Sequence, residues 1–339
     1  MKNIQPIQII GTQRSGSNLL RLMLNQLDEI TAPHPPHILQ NFVPLLNLYG
    51  NLEDPQNFHQ LIADVCTFVE LNPVPWKGVK FDREEISSLC KAQNLMEVFR
   101  VIYELKARFD KASFWVCKSM ANVKYAYKME EAGMRPLYLH LYRDGRDVAC
   151  SFKKAIVGEK HVYPLANQWR DNHEACFQLQ QKIEYDRFLQ ISYEDLLNSP
   201  ERELKRITSF INVKFSSNVL NFYKSEESKN TAVAGKMWDN VSKPIIKNNT
   251  NKYKSSLSEL DIGIFEKQAG EVLNKLGYCL EATGIVNGIP FSNEQLREFD
   301  QENKLLKEKA RRFADPEGMK LRERQESLLN EIQARTLIN

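Results

Sequence analysis

The residues best suited to chemistry lie in a turn near the start of the chain, at 11–18. The turn reads Gly-Thr-Gln-Arg-Ser-Gly-Ser-Asn and separates a short apolar run at 7–10 from a helical pattern at 19–27. Backbone N–H groups at such a strand–turn–helix junction, together with the helix dipole, favour a bound anion. Arg14 adds a permanent positive charge, and Gly16 permits close approach of a ligand. The residues predicted to bind the anion are Gln13, Arg14, Ser15, Gly16, Ser17 and Asn18.

A second candidate anion site follows the apolar run at 137–142. Arg143 stands at the end of that run, and Ser151 lies eight residues further on, in a helical pattern. The pair could hold one phosphate from two sides, although surface salt bridges and a helix cap would produce the same sequence. Ligands of open α/β sheets bind at the carboxyl ends of the strands. Two such elements therefore suit a ligand that carries phosphates at two ends.

Alternating apolar runs and helical periods position both elements. The predicted strands are 7–10, 114–117, 137–142 and 188–193. The predicted helices are 19–27, 89–109, 165–184, 200–211 and 259–276, with one more that begins near 147. This alternation predicts an α/β fold in which a central parallel sheet is covered by helices on both faces.

Three stretches lack this regular alternation. The stretch 31–50 is rich in Pro and Gly among apolar residues and predicts an ordered loop, and 225–256 has no clear period and predicts a long functional loop. The charged stretch 293–339 is helix-forming, with a break at 316–318. It could cover the domain, join a second subunit in a homo-oligomer or, as the simplest interpretation, form a solvated helix. We expect a main domain at 1–285 and a charged helical extension at 286–339.

Composition excludes several classes of protein. The 339 residues include 46 Lys and Arg against 43 Asp and Glu, so the strongly basic character of a nucleic-acid-binding protein is absent. The six cysteines and six histidines have no zinc-like spacing, and no carboxylate cluster suits Mg²⁺, so no metal is predicted. The chain also lacks a visible signal peptide and an apolar stretch long enough to span a membrane. These features predict a soluble cytoplasmic protein.

The motifs together resemble the sulfotransferases that use 3′-phosphoadenosine 5′-phosphosulfate (PAPS), and in particular their bacterial and tyrosylprotein branches. The turn at 11–18 looks like the family's 5′-phosphosulfate loop, in which those branches also use Arg, and Arg143 with Ser151 resembles its 3′-phosphate motif. Tyr193 opens a Tyr-Glu-Asp-Leu element similar to the family's own. The resemblance implies a P-loop-like three-layer fold with PAPS as the co-substrate. It also implies donor-binding roles for three residues in and after a late Lys-Pro loop, Ser242, Lys243 and Lys252.

The resemblance also implies catalytic roles in an in-line displacement. Arg14 would stabilise the transferred group, and Lys118, at the end of the run 114–117, would face the leaving oxygen. The cytosolic branch keeps a His base at the position of Met120, which cannot accept a proton. Counting from Arg14 places His34 on or next to the position of the tyrosine branch's catalytic Glu, and an imidazole suits a general base near neutral pH. His34 is therefore the predicted base, with His37 as the alternative.

The sequence leaves the acceptor open. Apolar residues after His37 slightly favour an apolar alcohol such as a sterol or lipid if they line a pocket: Ile38, Leu39, Phe42, Val43, Leu45, Leu46 and Tyr49. The same residues could equally be the core face of a helix, and a carbohydrate acceptor also remains open.

Two rival functions remain. One is a P-loop nucleotide kinase, although Ser17 stands where a Walker loop has Lys. The other is a non-catalytic binding module with the same fold.

Overall fold

The centre of the protein is a five-stranded parallel sheet. The computed structural model describes residues 4–281, 290–312 and 316–335. The strands are β1 (Gln5–Gly11), β2 (Ile30–Thr31), β3 (Phe114–Cys117), β4 (Leu137–Tyr142) and β5 (Phe188–Ser192). They lie in the order β2-β3-β1-β4-β5, so the two strands that precede the candidate anion sites, β1 and β4, are direct neighbours.

Helices account for most of the remaining described chain. The α-helices are α1 (Ser17–Leu24), α2 (Ile38–Phe42), α3 (Pro55–Glu70), α4 (Arg83–Leu89), α5 (Leu95–Phe109), α6 (Ala126–Glu131), α7 (Gly145–Lys154), α8 (Val162–Gln180), α9 (Tyr193–Asn198), α10 (Pro200–Phe210), α11 (Glu226–Val233), α12 (Tyr253–Ser256), α13 (Glu259–Lys275), α14 (Asn293–Arg312) and α15 (Pro316–Ala334). Short 3₁₀ helices occupy Val43–Tyr49, Met120–Tyr125, Tyr185–Arg187, Ser217–Lys224 and Lys236–Ser242. Within the described residues, no helix combines the length and apolar character that crossing a membrane requires.

Alternation along the strands distributes the apolar side chains to both faces of the sheet. Ile7 and Ile9 of β1 pack in one apolar cluster with α1 and α10, whereas Ile10 packs in another with α2, α3 and α5. Trp115 and Val116 of β3 divide between the same two clusters. Successive side chains of a strand point to opposite faces, so a sheet buried on both sides needs apolar residues at nearly every position. The structure therefore confirms the predicted α/β fold.

Several segment predictions need correction. The helix predicted at 89–109 begins only at Leu95, where Asn94 caps it by accepting a hydrogen bond from the Glu97 backbone N–H at 3.0 Å, and Leu89 ends the preceding helix α4. The predicted loop at 31–50 contains β2, α2 and a 3₁₀ helix, and the one at 225–256 contains α11, a 3₁₀ helix and α12. Helix α11 has few apolar residues, so it carries too weak a period to be detected in the sequence.

The charged extension covers the domain and is not a solvated helix. Leu328 and Ile332 of α15 are buried in the same apolar cluster as α3 and α5, and Arg335 contacts the carboxylate of Asp64 at 2.6 and 3.1 Å. The break predicted at 316–318 coincides with the start of α15, which begins at Pro316, a position that proline favours. The expected domain boundary at 285 and 286 lies outside the described residues.

The preceding helix, α14, supports a different part of the chain. The side-chain oxygen of Asn303 accepts hydrogen bonds from the backbone N–H groups of Lys160 and His161 at 2.8 and 3.0 Å, and its side-chain nitrogen donates to Glu159. Asn303 is itself buried. The bonds fix the end of the loop that joins α7 to α8.

Candidate active site

Glycines shape the turn between β1 and α1. Gly16, with φ +87°, immediately precedes α1, and a Cβ there would stand less than 3.0 Å from the ring of Tyr193. Gly11, with φ +129°, would bring a Cβ equally close to the carbonyl oxygen of Leu141. Both positions therefore require glycine for conformation and for space. The turn follows the carboxyl end of β1, where the first backbone N–H groups of α1 are available to an anion.

The two candidate anion sites meet at this edge of the sheet. The Arg14 Nε donates to the Ser151 Oγ of α7 at 2.9 Å, and the Arg143 Nη1 donates to the backbone carbonyl of Arg14 at 3.1 Å. The Arg14 backbone is left-handed, with φ 70°, which costs a non-glycine residue free energy. Burial, and secondarily the charge of Arg143, lowers the pKa of Arg14. Two guanidinium groups held this close favour a bound anion between them.

Tyr193 completes the wall beside Arg143. The Arg143 guanidinium lies over the Tyr193 ring, 4.6 Å from its centroid, and Arg143 also donates to the backbone carbonyl of Asn249 at 2.7 Å. The Asn249 side chain in turn donates to the Tyr193 hydroxyl at 2.6 Å. Asp147, one turn into α7, accepts from both Arg143 and the Tyr253 backbone N–H. The network ties the segment before α12 to the sheet edge.

Lys118 and two histidines lie further along the same cleft. Lys118 is buried, and its ammonium has no hydrogen-bond or salt-bridge partner in the described part of the chain. Burial, and then the charge of Arg21, lowers its pKa to about 7. An unpaired, partly desolvated amine of this kind is poised to interact with an incoming anion.

His34 and His37 differ in how much proton-accepting capacity they keep. Both ring nitrogens of His34 are buried and have no hydrogen-bond partner among the described residues, and the ring meets Trp238 edge-on with centroids 4.9 Å apart. The His37 Nδ1 instead lies 3.0 Å from the Ser119 Oγ. Burial and the charge of Lys118 lower the pKa of His34 well below its usual value, and that of His37 to about 3. Both rings are neutral at pH 7.

Most of the predicted residues share one cleft of about 980 Å³. The predicted site residues that line it are Gln13, Arg14, Gly16, Ser17, Asn18, His34, His37, Lys118, Arg143, Ser151, Tyr193, Lys243 and Lys252. Ser15 and Ser242 do not line it: Ser15 is fully buried with its hydroxyl unpartnered among the described residues, and Ser242 donates to the backbone of Asp239. Seven Lys or Arg side chains and two carboxylates from the described segments line this cleft, so its field favours anions.

The apolar residues after His37 pack into the core. Ile38, Leu39, Phe42 and Tyr49 belong to the cluster that includes α3 and α5, and they do not line the cleft. These residues therefore form the core face of a helix and not the lining of a pocket. The structural basis for favouring a sterol or lipid acceptor is lost.

Sequence reasoning missed two features of the site. Arg21, inside the apolar helix α1, is fully buried and bonds to the backbone of Ala32, to Glu227 at 2.8 Å and to Thr231 at 3.0 Å. It fixes α11 beside the cleft and contributes to the low pKa of Lys118. The only sign of this role in the sequence was a single Arg among the apolar residues of a predicted helix. The second missed feature is the helix α15, which lines the cleft at its far end.

A buried polar cluster lies behind the sheet edge, at His140, His173 and Cys176. The His140 Nε2 and the His173 Nδ1 are 2.8 Å apart. This separation is shorter than that of two nitrogen ligands on one tetrahedral zinc ion, which is about 3.3 Å. The spacing is that of a hydrogen bond between neutral rings. The His173 Nε2 also lies 3.4 Å from the Thr12 hydroxyl, so the two histidines pack against the turn at 11–18.

The fold and the cleft define an α/β protein with a cationic cleft at the carboxyl ends of neighbouring strands. The model of the Sulfotransferase family matches residues 6–217, and the chain belongs to this family. Membership of this family supports sulfuryl transfer as its function.

The fold is shared with solved structures, of which two are similar over most of the chain. The sulfotransferase domain of the Synechococcus PCC 7002 olefin synthase is 22% identical, with a TM-score of 0.54 over 83% of this chain and 98% of that one. The sulfotransferase domain from the curacin biosynthetic pathway is 21% identical, with a TM-score of 0.55 over 83% of this chain and 100% of that one. Among curated protein sequences, no match was found.

Proposed function

We propose that this protein transfers the sulfuryl group of PAPS to a hydroxyl group of a small polar molecule. One observation carries the proposal: the turn around Arg14 and the Arg143–Ser151 pair, far apart in sequence, are in direct contact at the ends of adjacent strands. PAPS carries anionic groups at two ends of one nucleotide, which matches two linked anion sites. The excess of positive charge along the cleft supports the same ligand.

The residues that line the cleft fit this donor. Arg143, Ser151 and the ring of Tyr193 would hold the 3′-phosphate side, and the turn at 13–18 would hold the phosphosulfate. The Arg143 Nε is buried without a partner among the described residues, so it keeps a donor for a bound phosphate. Lys243 and Lys252 also line the cleft and add positive charge to it.

Three side chains would carry the chemistry. Bound PAPS supplies the sulfuryl group, whose bond to the phosphate breaks as a new S–O bond forms to the acceptor oxygen. Arg14 stabilises charge on the transferred group, and Lys118 stabilises charge on the leaving phosphate oxygen. His34 accepts the acceptor's proton. We assign the proton to His34, because both of its ring nitrogens lack partners among the described residues, whereas His37 already contacts Ser119.

The side chains at the far end of the cleft favour a polar acceptor. Besides the two histidines, this end is lined by Asn72, Trp238 and several side chains of α15. Hydrogen-bonding groups in a binding site select ligands that can satisfy them. A carbohydrate or another polar hydroxyl compound therefore suits the cleft better than a sterol.

The direct test is incubation of the purified chain with PAPS and a panel of alcohols, phenols and sugars, with mass spectrometry of the products. The same preparation is titrated with 3′-phosphoadenosine 5′-phosphate (PAP) and with ATP. We expect a sulfated product and a clear preference for PAP. A preference for ATP would overturn sulfuryl transfer in favour of kinase chemistry, and PAP binding without turnover on any acceptor would favour a binding module.

The base is tested by His34→Gln, with His59→Gln as the matched control. His59 lies outside the cleft, with its side chain partly exposed beside Glu84. General-base catalysis contributes about 10²- to 10⁴-fold, so His34→Gln is expected to lower kcat by at least about 10² while PAP affinity is kept. A kcat within a few-fold of the wild type would rule out the role of His34, and a loss seen only in His37→Gln would transfer it to that residue.

A further inference from the structure

The far wall of the cleft is formed by α15, which lies outside the family-matched residues 6–217. Arg322, Gln325, Glu326 and Leu329 all line the cleft. Their spacing of three and four residues places them on one face of the helix. The chain therefore closes its acceptor side with an element of its own, separate from the donor-binding strands.

This wall is firmly docked. Leu328 and Ile332 are buried against the domain, and the Gln325 side chain donates to the backbone carbonyl of Phe68 at 2.8 Å. The contact between Arg335 and Asp64 fixes the end of the helix. Side chains presented from a helix held at several points have defined positions, as a specificity pocket requires.

Arg322 is the cationic group of this wall. Its guanidinium lies over the Trp238 ring, 5.3 Å from the centroid, and the same ring meets His34 edge-on with centroids 4.9 Å apart. The guanidinium is therefore at most about 10 Å from the imidazole that we assign as the base. It is also close enough for its charge to lower the pKa of His37.

We propose that Arg322 binds an anionic group of the acceptor, so that α15 selects hydroxy acids whose carboxylate lies within about 10 Å of the reacting hydroxyl. The inference rests on the proposed function and specifies its substrate class. A guanidinium binds a carboxylate through two parallel hydrogen bonds, which orients the acceptor as well as holding it. Glu326, one turn further along α15, faces the same cleft and opposes an anion there, so the two side chains have opposite effects on such an acceptor.

The experiment compares ω-hydroxy acids of four, six and eight carbons with their methyl esters. Each acid and its ester differ in charge but share the reacting hydroxyl, so the ratio of their kcat/KM values isolates recognition of the carboxylate. We expect the wild type to prefer at least one acid by about tenfold or more, as charge-assisted hydrogen bonds imply. Arg322→Gln should bring that ratio close to one, Arg322→Lys should restore part of it, and Glu326→Gln should raise it.

Arg324→Gln is the matched control. Arg324 is exposed on the same helix and does not line the cleft, so its loss changes the net charge equally but should leave the ratio unchanged. Equal changes in Arg322→Gln and Arg324→Gln, or no preference for any acid in an enzyme that sulfates the esters, would overturn the role of Arg322. Absence of PAP binding by the wild type would instead overturn the proposed function. Thermal melting of each variant confirms that the fold is retained.

Discussion

Lys118 makes PAP binding depend on pH in a way that can be calculated. Its pKa is about 7 in the free protein because the amine is buried near Arg21. A phosphate placed beside it would favour the charged form and restore the pKa to about 10.4, the usual value for lysine. Binding must then take up a proton at any pH between these two values.

The size of the effect follows from the two pKa values. At pH 8 a group of pKa about 7 is roughly one-tenth protonated, so binding should take up about 0.9 proton per site from Lys118. Affinity for PAP should fall about fivefold from pH 7 to pH 8, and then about tenfold per pH unit until the pKa of the bound state is reached. The affinity is lost as pH rises, because the free protein then gives up the proton that the complex retains.

Titration calorimetry at pH 8 in buffers of different ionisation enthalpy measures this uptake. Lys118→Arg keeps the positive charge but stays protonated in both states, so it should bind PAP without uptake from this site, and Lys118→Met should lose both affinity and uptake. The PAP phosphates exchange protons equally in all three proteins. The difference in proton uptake between the wild type and each variant therefore reports on Lys118 alone. An uptake in Lys118→Arg equal to that of the wild type would refute the assignment, as would none in the wild type.

Two further substitutions test the architecture of the cleft. Gly16→Ala would place a methyl group against the Tyr193 ring and is expected to weaken PAP binding at least about tenfold, whereas Gly133→Ala, at a similarly positive φ with open space around it, should cost stability but leave the PAP titration unchanged. Ile332→Ala should lower the free energy of unfolding by about 2 kcal/mol or more in urea, because it leaves a cavity under α15. Leu321→Ala, on the same helix and partly exposed, should change it by about 0.5 kcal/mol or less, and equal losses in the two variants would contradict the docked position of α15.

The donor side could be predicted because its residues lie next to features that are visible in the sequence. The turn at 11–18 and the pair Arg143 and Ser151 each follow an apolar run, and apolar runs separated by helical periods indicate a parallel sheet. Parallel strands present their carboxyl ends at one edge, so residues that follow two strands meet there. Local patterns are enough for this conclusion.

Apart from the two histidines, the acceptor side could not be predicted, because its residues come from distant parts of the chain. His34, Trp238 and Arg322 meet only because α11 and α15 pack back onto the domain. The partner of Arg21 is Glu227, 206 positions away, and no local period encodes such a pairing. Ile38 and Phe42 could equally have lined a pocket or filled a core, and only the position of α3 settles that they fill the core.

The order of the elements along the chain has a consequence for biosynthesis. Every residue assigned to PAPS precedes α15, so during translation the donor-binding edge emerges first and its acceptor wall several seconds later, at about 5–20 residues per second. In that interval the apolar surface on α3 and the 3₁₀ helix Val43–Tyr49, which later receives Leu328 and Ile332, is uncovered. A nascent chain stalled before α15 would therefore expose an apolar surface to which a chaperone can bind. Its donor site would also lie beside an acceptor side that does not yet discriminate between acceptors.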